Sequence, residues 1–140
     1  MAEIGLDESG MRALREAENF CWRANVAIIA PEHLLAGALL VLGNGGVDGL
    51  PSQEQLEQAV ATIHGVGSDT LTDNVKWGSG ARAALNAMAG AVRQSGGDTI
   101  DARLIAIGSI ATDEVNPMFY GTMGTTKGAL LQVLQQGEPA

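Results

Sequence analysis

The 140 residues fit one domain, 46% hydrophobic but only 4% aromatic, so alanine, leucine, valine and glycine must fill the core. Sixteen acidic against eight basic residues give a net charge of −8. Such a surface repels phosphate backbones and anionic lipid, which excludes general nucleic-acid and membrane-surface binding. The single cysteine, Cys21, can supply neither an internal disulfide nor a zinc cluster. The opening "MAEIGLDES" is acidic and has no apolar stretch of the kind a signal peptide needs. The cleanest apolar run, Leu34 to Leu42, is about half a bilayer span. The expectation is a soluble, cytoplasmic protein.

Helical periodicity dominates the pattern. A first helix begins near Asp7 or Ser9, either of which can accept a bond from the free N–H groups of a first turn. Its apolar positions Met11, Leu14, Ala17, Phe20, Cys21 and Ala24 recur at three- and four-residue spacing, and Asn25 is the stop. The second helix opens at Pro31, whose fixed φ suits the first helical position, and stops at the "GNGG" of Gly43 to Gly46. Ser52 caps a third, with Leu56, Ala59, Val60 and Ile63 on one side, ending at Gly65. Residues 65–78 are polar and irregular and are read as a linker.

After residue 78 the pattern starts again. "SGMRALREA" (Ser9 to Ala17) and "SGARAALNA" (Ser79 to Ala87) share Ser, Gly, Arg, Ala and the final Ala at a shift of 70 residues. The same shift places Leu34 on Leu104 and Leu35 on Ile105. The reading is a duplication within one all-α domain spanning 1–140, with repeat one at 6–64 and repeat two at 79–136. Neither half is large enough to bury its apolar face alone.

These residues resemble the Clp N-terminal (Clp repeat) domain of Hsp100-type AAA+ unfoldases over nearly the whole chain. Each repeat of that family carries an aromatic-T-x-x-A-x-x-A-L-x-x-A helix followed by I-x-T-E-H-L-L-L-G-L-L. Here Leu6 and Asp7 take the aromatic and threonine places, with Ala13, Leu14, Ala17 and Cys21 on the packing face. Ile29 takes the isoleucine place, and Glu32, His33, Leu34, Leu35, Gly37 and Leu40 follow the second motif. In the second half Ala83, Ala87, Ile100, Leu104, Ile105 and Gly108 are the echoes, and Ala102 and Arg103 stand where the motif has Glu-His. Residues 115–123 take the place of the family's short third helix, and Gly124 begins the fourth; in repeat one "GNGG" replaces that third helix.

The resemblance implies a compact domain of two pseudo-symmetric repeats, each of three or four helices, that binds protein and carries no motor. The nearest stretch to a nucleotide loop, "GTMGTTKG" (Gly121 to Gly128), has its lysine after the threonines and before a glycine, so the phosphate cradle is missing. In ClpC-like members the motif's glutamate and threonine form a pocket for phosphorylated arginine. Here Asp7 at the threonine place repels phosphate, and an unmodified arginine or lysine of a partner suits the Asp7/Glu32 pair better. The function implied is a non-catalytic binding module, an adaptor or regulator in Clp-dependent protein quality control. Its partner would be an unfoldase, an adaptor or a substrate, and no cofactor is expected.

The residues themselves leave other readings open. Glu32 also suits a helix start as a carboxylate favoured by the dipole, tying down the loop from the first helix. His33 is expected to satisfy a loop carbonyl, His64 to sit at a helix end, and Cys21 to act as a small buried hydrophobe. Met118, Phe119, Tyr120 and Met123 combine adaptable methionines with two of the few aromatics, which suits either core or a binding surface. The alternative function is a self-associating structural protein with Met118 to Met123 as its homodimer face. Trp77 is expected to cover the joint between the repeats. With no Cys/His, Ser/His or paired-carboxylate constellation and no metal set, an enzyme is not expected.

Overall fold

The computed structural model describes residues 5–65, 67, 75–112 and 115–136. Helix α1 (Glu8–Ala24) starts at Asp7, whose carboxylate accepts the Gly10 N–H at 2.8 Å. It buries Gly10, Ala13, Ala17, Phe20 and Cys21 along one stripe and ends at Asn25 in the left-handed conformation (φ 55°, ψ 42°). Helix α2 (Pro31–Asn44) has proline at its first position and is buried on every side from Pro31 to Val41, so it forms the axis of the core. Helix α3 (Gln53–His64) opens on a reciprocal cap, in which the Gln55 N–H donates to Ser52 Oγ and the Ser52 N–H to the Gln55 side chain.

The second half repeats the plan with α4 (Ser79–Gln94), α5 (Ala102–Ala111), the five-residue α6 (Met118–Thr122) and α7 (Lys127–Gln136). The expected third and fourth helices of repeat two correspond to α6 and α7. Four two-residue strands precede the paired helices: β1 (Gly5–Leu6), β2 (Ile28–Ile29), β3 (Lys76–Trp77) and β4 (Thr99–Ile100). β1 pairs in parallel with β4, and β2 with β3, so the entry to each helix is stitched to the opposite repeat. Trp77 does lie at that joint, opposite Ile29 and against the buried residues of both halves.

The stretch expected as linker is thus ordered at its end, where Lys76 and Trp77 form β3; residues 66 and 68–74 of it lie outside the described residues.

The internal symmetry has a register of 71 residues, one more than the sequence match suggested. This shift carries β1 onto β3, β2 onto β4 and the N-cap Ala30 onto the N-cap Asp101. It also superposes the buried faces: Gly10, Ala13, Ala17 and Cys21 become Ala81, Ala84, Met88 and Val92. Small residues recur so often in both first helices that serines and alanines match one place out of step. Tertiary packing fixes the true register. Arg103 and Leu104 therefore stand at the places of Glu32 and His33, not Ala102 and Arg103.

The crossing of α1 and α2 depends on Gly37. A Cβ there would lie 2.4 Å from the Ala13 carbonyl oxygen and 2.7 Å from the Ala17 nitrogen, so only glycine admits this approach. Among the described residues no helix is long and apolar enough to cross a membrane.

Candidate functional site

Glu32 occupies the first turn of α2 and is only 4% exposed. A buried carboxylate needs partners for both oxygens. One oxygen contacts His64 Nε2 at 2.6 Å, at the end of α3, and the other accepts the Asn116 N–H at 2.8 Å, just before α6. Glu32 thus ties α2 to α3 and to the segment that leads into α6, rather than to the loop after α1. Burial alone would raise its pKa. The hydrogen bonds from His64 and the Asn116 N–H, aided by the His64 charge and its own backbone, outweigh burial and hold it below the usual carboxylate range.

His33 follows, 1% exposed. Its Nδ1 accepts the Ala30 N–H at 2.9 Å, so it satisfies a helix-start donor and not the carbonyl expected of it. That bond fixes the neutral tautomer with its proton on Nε2, an atom with no partner among the described residues. Desolvation first, then the neighbouring His64 charge, lower the His33 pKa to about 4 despite the opposing Glu32. The two imidazoles stack with centroids 4.7 Å apart and planes at 28°. Sequence reasoning found no partner for His64. The signal was its chemical type alone, since 32 residues separate it from Glu32.

The equivalent position in repeat two serves the same end with other chemistry. Arg103 Nε donates to the Leu134 carbonyl at 2.6 Å, and a second guanidinium nitrogen lies 3.4 Å from that of Gln135. In both repeats, then, the second residue of the second helix holds the C-terminal end of the last helix: a carboxylate on an imidazole at α3, a guanidinium on carbonyls at α7. Sequence reasoning treated Arg103 only as an eroded motif position.

Asp7 belongs to a different network. Besides the Gly10 N–H it accepts the Ser9 hydroxyl at 2.8 Å, and Ser9 Oγ in turn accepts the Ala102 N–H at 3.0 Å. Asp7 and Glu32 therefore stabilise separate parts of the molecule, Asp7 where α1 meets α5 and Glu32 where α2 meets α3. Of the aromatic-methionine stretch, Phe119 (0%), Tyr120 (6%) and Met123 (2%) lie in the core, while Met118 is 69% exposed. Of the four large side chains in that stretch, Met118 is the one offered to a partner or a second copy. Cys21 is fully buried, and burial followed by the Glu18 charge pushes its thiol up to about 12, so it is inert at neutral pH. Among the described residues no group of three or more His, Cys, Asp or Glu is placed to hold a metal ion.

No protein-family model and no curated protein sequence matches the chain. Among solved structures it is similar to the N-terminal domain of the caseinolytic protease associated chaperone ClpD from Arabidopsis thaliana. The TM-score is 0.71 at 16% sequence identity, over 94% of this chain and 95% of that one. At that identity the shared property is the path of the backbone: the chain has an all-α, Clp N-domain-like fold built from two pseudo-symmetric repeats.

Proposed function

We propose that this chain is a non-catalytic protein-binding module that holds an unfoldase, an adaptor or a degradation substrate in a Clp-type quality-control system. The observation that carries this reading is the fold, shared with a Clp chaperone's N-terminal domain over nearly the full length of both chains. The exposed candidates, Asp7 and Met118, are the residues that would touch the partner. Glu32, Phe119 and Tyr120 would act from beneath the surface, by holding α3 and α6 in place.

Titration of the chain into a purified Hsp100 unfoldase deleted of its own N-domain, and separately into a permanently unfolded model protein, tests the reading by calorimetry. Saturable binding of one chain per subunit or per segment is expected, weakened severalfold by Met118→Ser. Absence of heat with both partners and with a purified adaptor would overturn it.

A further inference from the structure

Beside the β1–β4 pair lies a cleft of about 690 Å³, lined by the first turn of α1, the loop after α2, the start of α5 and the end of α7. Its floor is apolar, made by Leu42, Val47, Val133 and Leu134. Its rim carries the exposed carboxylates of Asp48 and Asp101, and Asp7 is joined to the lining residue Ser9 by the hydroxyl bond already described.

Two helix starts face this region, and each has its own carboxylate: Asp7 receives the Gly10 N–H and Asp101 the Leu104 N–H. Their positive ends are therefore already neutralised and offer nothing to an anion. The end of α2 opens on the cleft at Gly45 and Gly46 and has no basic residue in its last turn. Arg103, the cation among the lining residues, turns its guanidinium onto the α7 carbonyls. Arg103 keeps its charge there, but the lining sets two carboxylates against that one guanidinium, so the rim over the apolar floor is net negative.

We propose that this cleft receives a lysine or arginine side chain from an extended segment of the partner polypeptide. The methylene stem lies on Leu42 and Val133 while the charged head meets Asp48 and Asp101. The proposal rests on the binding-module reading and adds to it the chemical class of the partner.

An array of 15-residue peptides tiling an unfolded substrate protein, followed by anisotropy titration of its fluorescein-labelled best binders, tests this. Lysine- and arginine-containing peptides with apolar neighbours are expected to dominate, and their affinity to fall as salt rises. The double variant Asp48→Lys, Asp101→Ser should bind them about tenfold more weakly. Serine keeps the cap on α5, and circular dichroism checks that the fold is unchanged. In the wild type, methyl NMR shifts on peptide addition should concentrate at Leu42, Val47 and Val133. Unchanged binding by the double variant, no preference for basic peptides, or shifts centred elsewhere would overturn the cleft assignment and leave the module reading standing. Failure of every peptide to bind, together with failure of the unfoldase titration, would overturn both.

Discussion

Both repeats carry a glycine where their second helix crosses the first, Gly37 in α2 and Gly108 in α5, but the two glycines face different neighbours. Gly37 lies against backbone: the Ala13 carbonyl and the Ala17 amide are what a Cβ would strike. Gly108 lies against the side chain of Met88, the residue at Ala17's place, with the nearest atom at 2.5 Å from a built Cβ. One crossing is closed by two main chains and the other by a flexible thioether, so the first has no atom that can move aside and the second has one. A methyl group added to each separates them. Gly37→Ala must push α1 and α2 apart and should cost about 3 kcal/mol or more. Gly108→Ala asks only that Met88 change rotamer, and should cost about 1 kcal/mol, offset in part by alanine's better helix propensity. Urea denaturation midpoints measure both; equal losses would mean that the two crossings are equally tight.

The same inequality separates Glu32 from Arg103. Removing the buried Glu32 side chain strands the Asn116 N–H and leaves His64, itself partly exposed, without its carboxylate. Glu32→Ala should therefore destabilise by about 3 kcal/mol. Arg103 is half-buried, and the carbonyls it holds belong to the last turn of a helix that water can reach. Arg103→Ala should cost about 1 kcal/mol, with the loss confined to α7. Hydrogen exchange reads the difference: faster exchange across α3 and the start of α6 for the first variant, and across α7 alone for the second.

The parts of this arrangement that local chemistry dictates were legible in the sequence. Asp7 and Ser52 mark helix starts by accepting first-turn N–H groups, Pro31 by its fixed φ and missing N–H, and Asn25 marks an end by tolerating the left-handed turn. The resemblance in motif also pointed to the fold that the backbone comparison bears out. What could not be read depended on distant partners. The symmetry register slipped by one because alanine and glycine recur too densely to prefer either alignment, whereas β1–β4, β2–β3 and the Gly37 crossing allow only one. No periodicity announces the His64–Glu32 contact. A five-residue helix is likewise too short to show which of Met118, Phe119 and Tyr120 turns inward.

Acid distinguishes the halves again, because His33 faces Leu104 across the symmetry and only the first can titrate. The folded-state pKa of His33, about 4, lies below its unfolded value of 6.5, so the unfolded chain takes up the proton first. Its contribution is fully present above pH 6.5 and is lost as the pH falls towards 4, about 3 kcal/mol in all. Glu32, whose pKa is also lowered, adds stability that is present above its unfolded value near 4.5 and is lost as the pH falls through the folded one. Stability should thus decline in two successive stages from pH 7 downward. His33→Phe should remove the upper stage and flatten the profile between pH 6.5 and 5. A wild-type profile already flat there would contradict the buried neutral imidazole.

The smallest contrast lies where the first helix of each repeat ends. Helix α1 stops on Asn25, held at φ 55° with its N–H turned back to the Cys21 and Trp22 carbonyls. Helix α4 turns off one residue after Ser95, which stands at Ala24's place at φ −85° with its hydroxyl donating to the Val92 carbonyl at 2.9 Å. The left-handed residue at Asn25's place is Gly96 (φ 83°), which needs no tolerant side chain. Alanine pays a steric penalty only at the left-handed position, since its Cβ crowds the carbonyl there. Asn25→Ala should lower stability by about 1 kcal/mol, while Ser95→Ala, which loses one exposed hydrogen bond, should change it by less than about 0.5 kcal/mol. Asn25→Gly discriminates between causes. If backbone conformation sets the cost, glycine restores or exceeds wild-type stability; if the long 3.5 Å contact from Asn25 Nδ2 to the Gly67 carbonyl matters, glycine falls as far as alanine. That contact is at the limit of a hydrogen bond, so the backbone should decide, and α1 should keep its end wherever the left-handed turn is allowed.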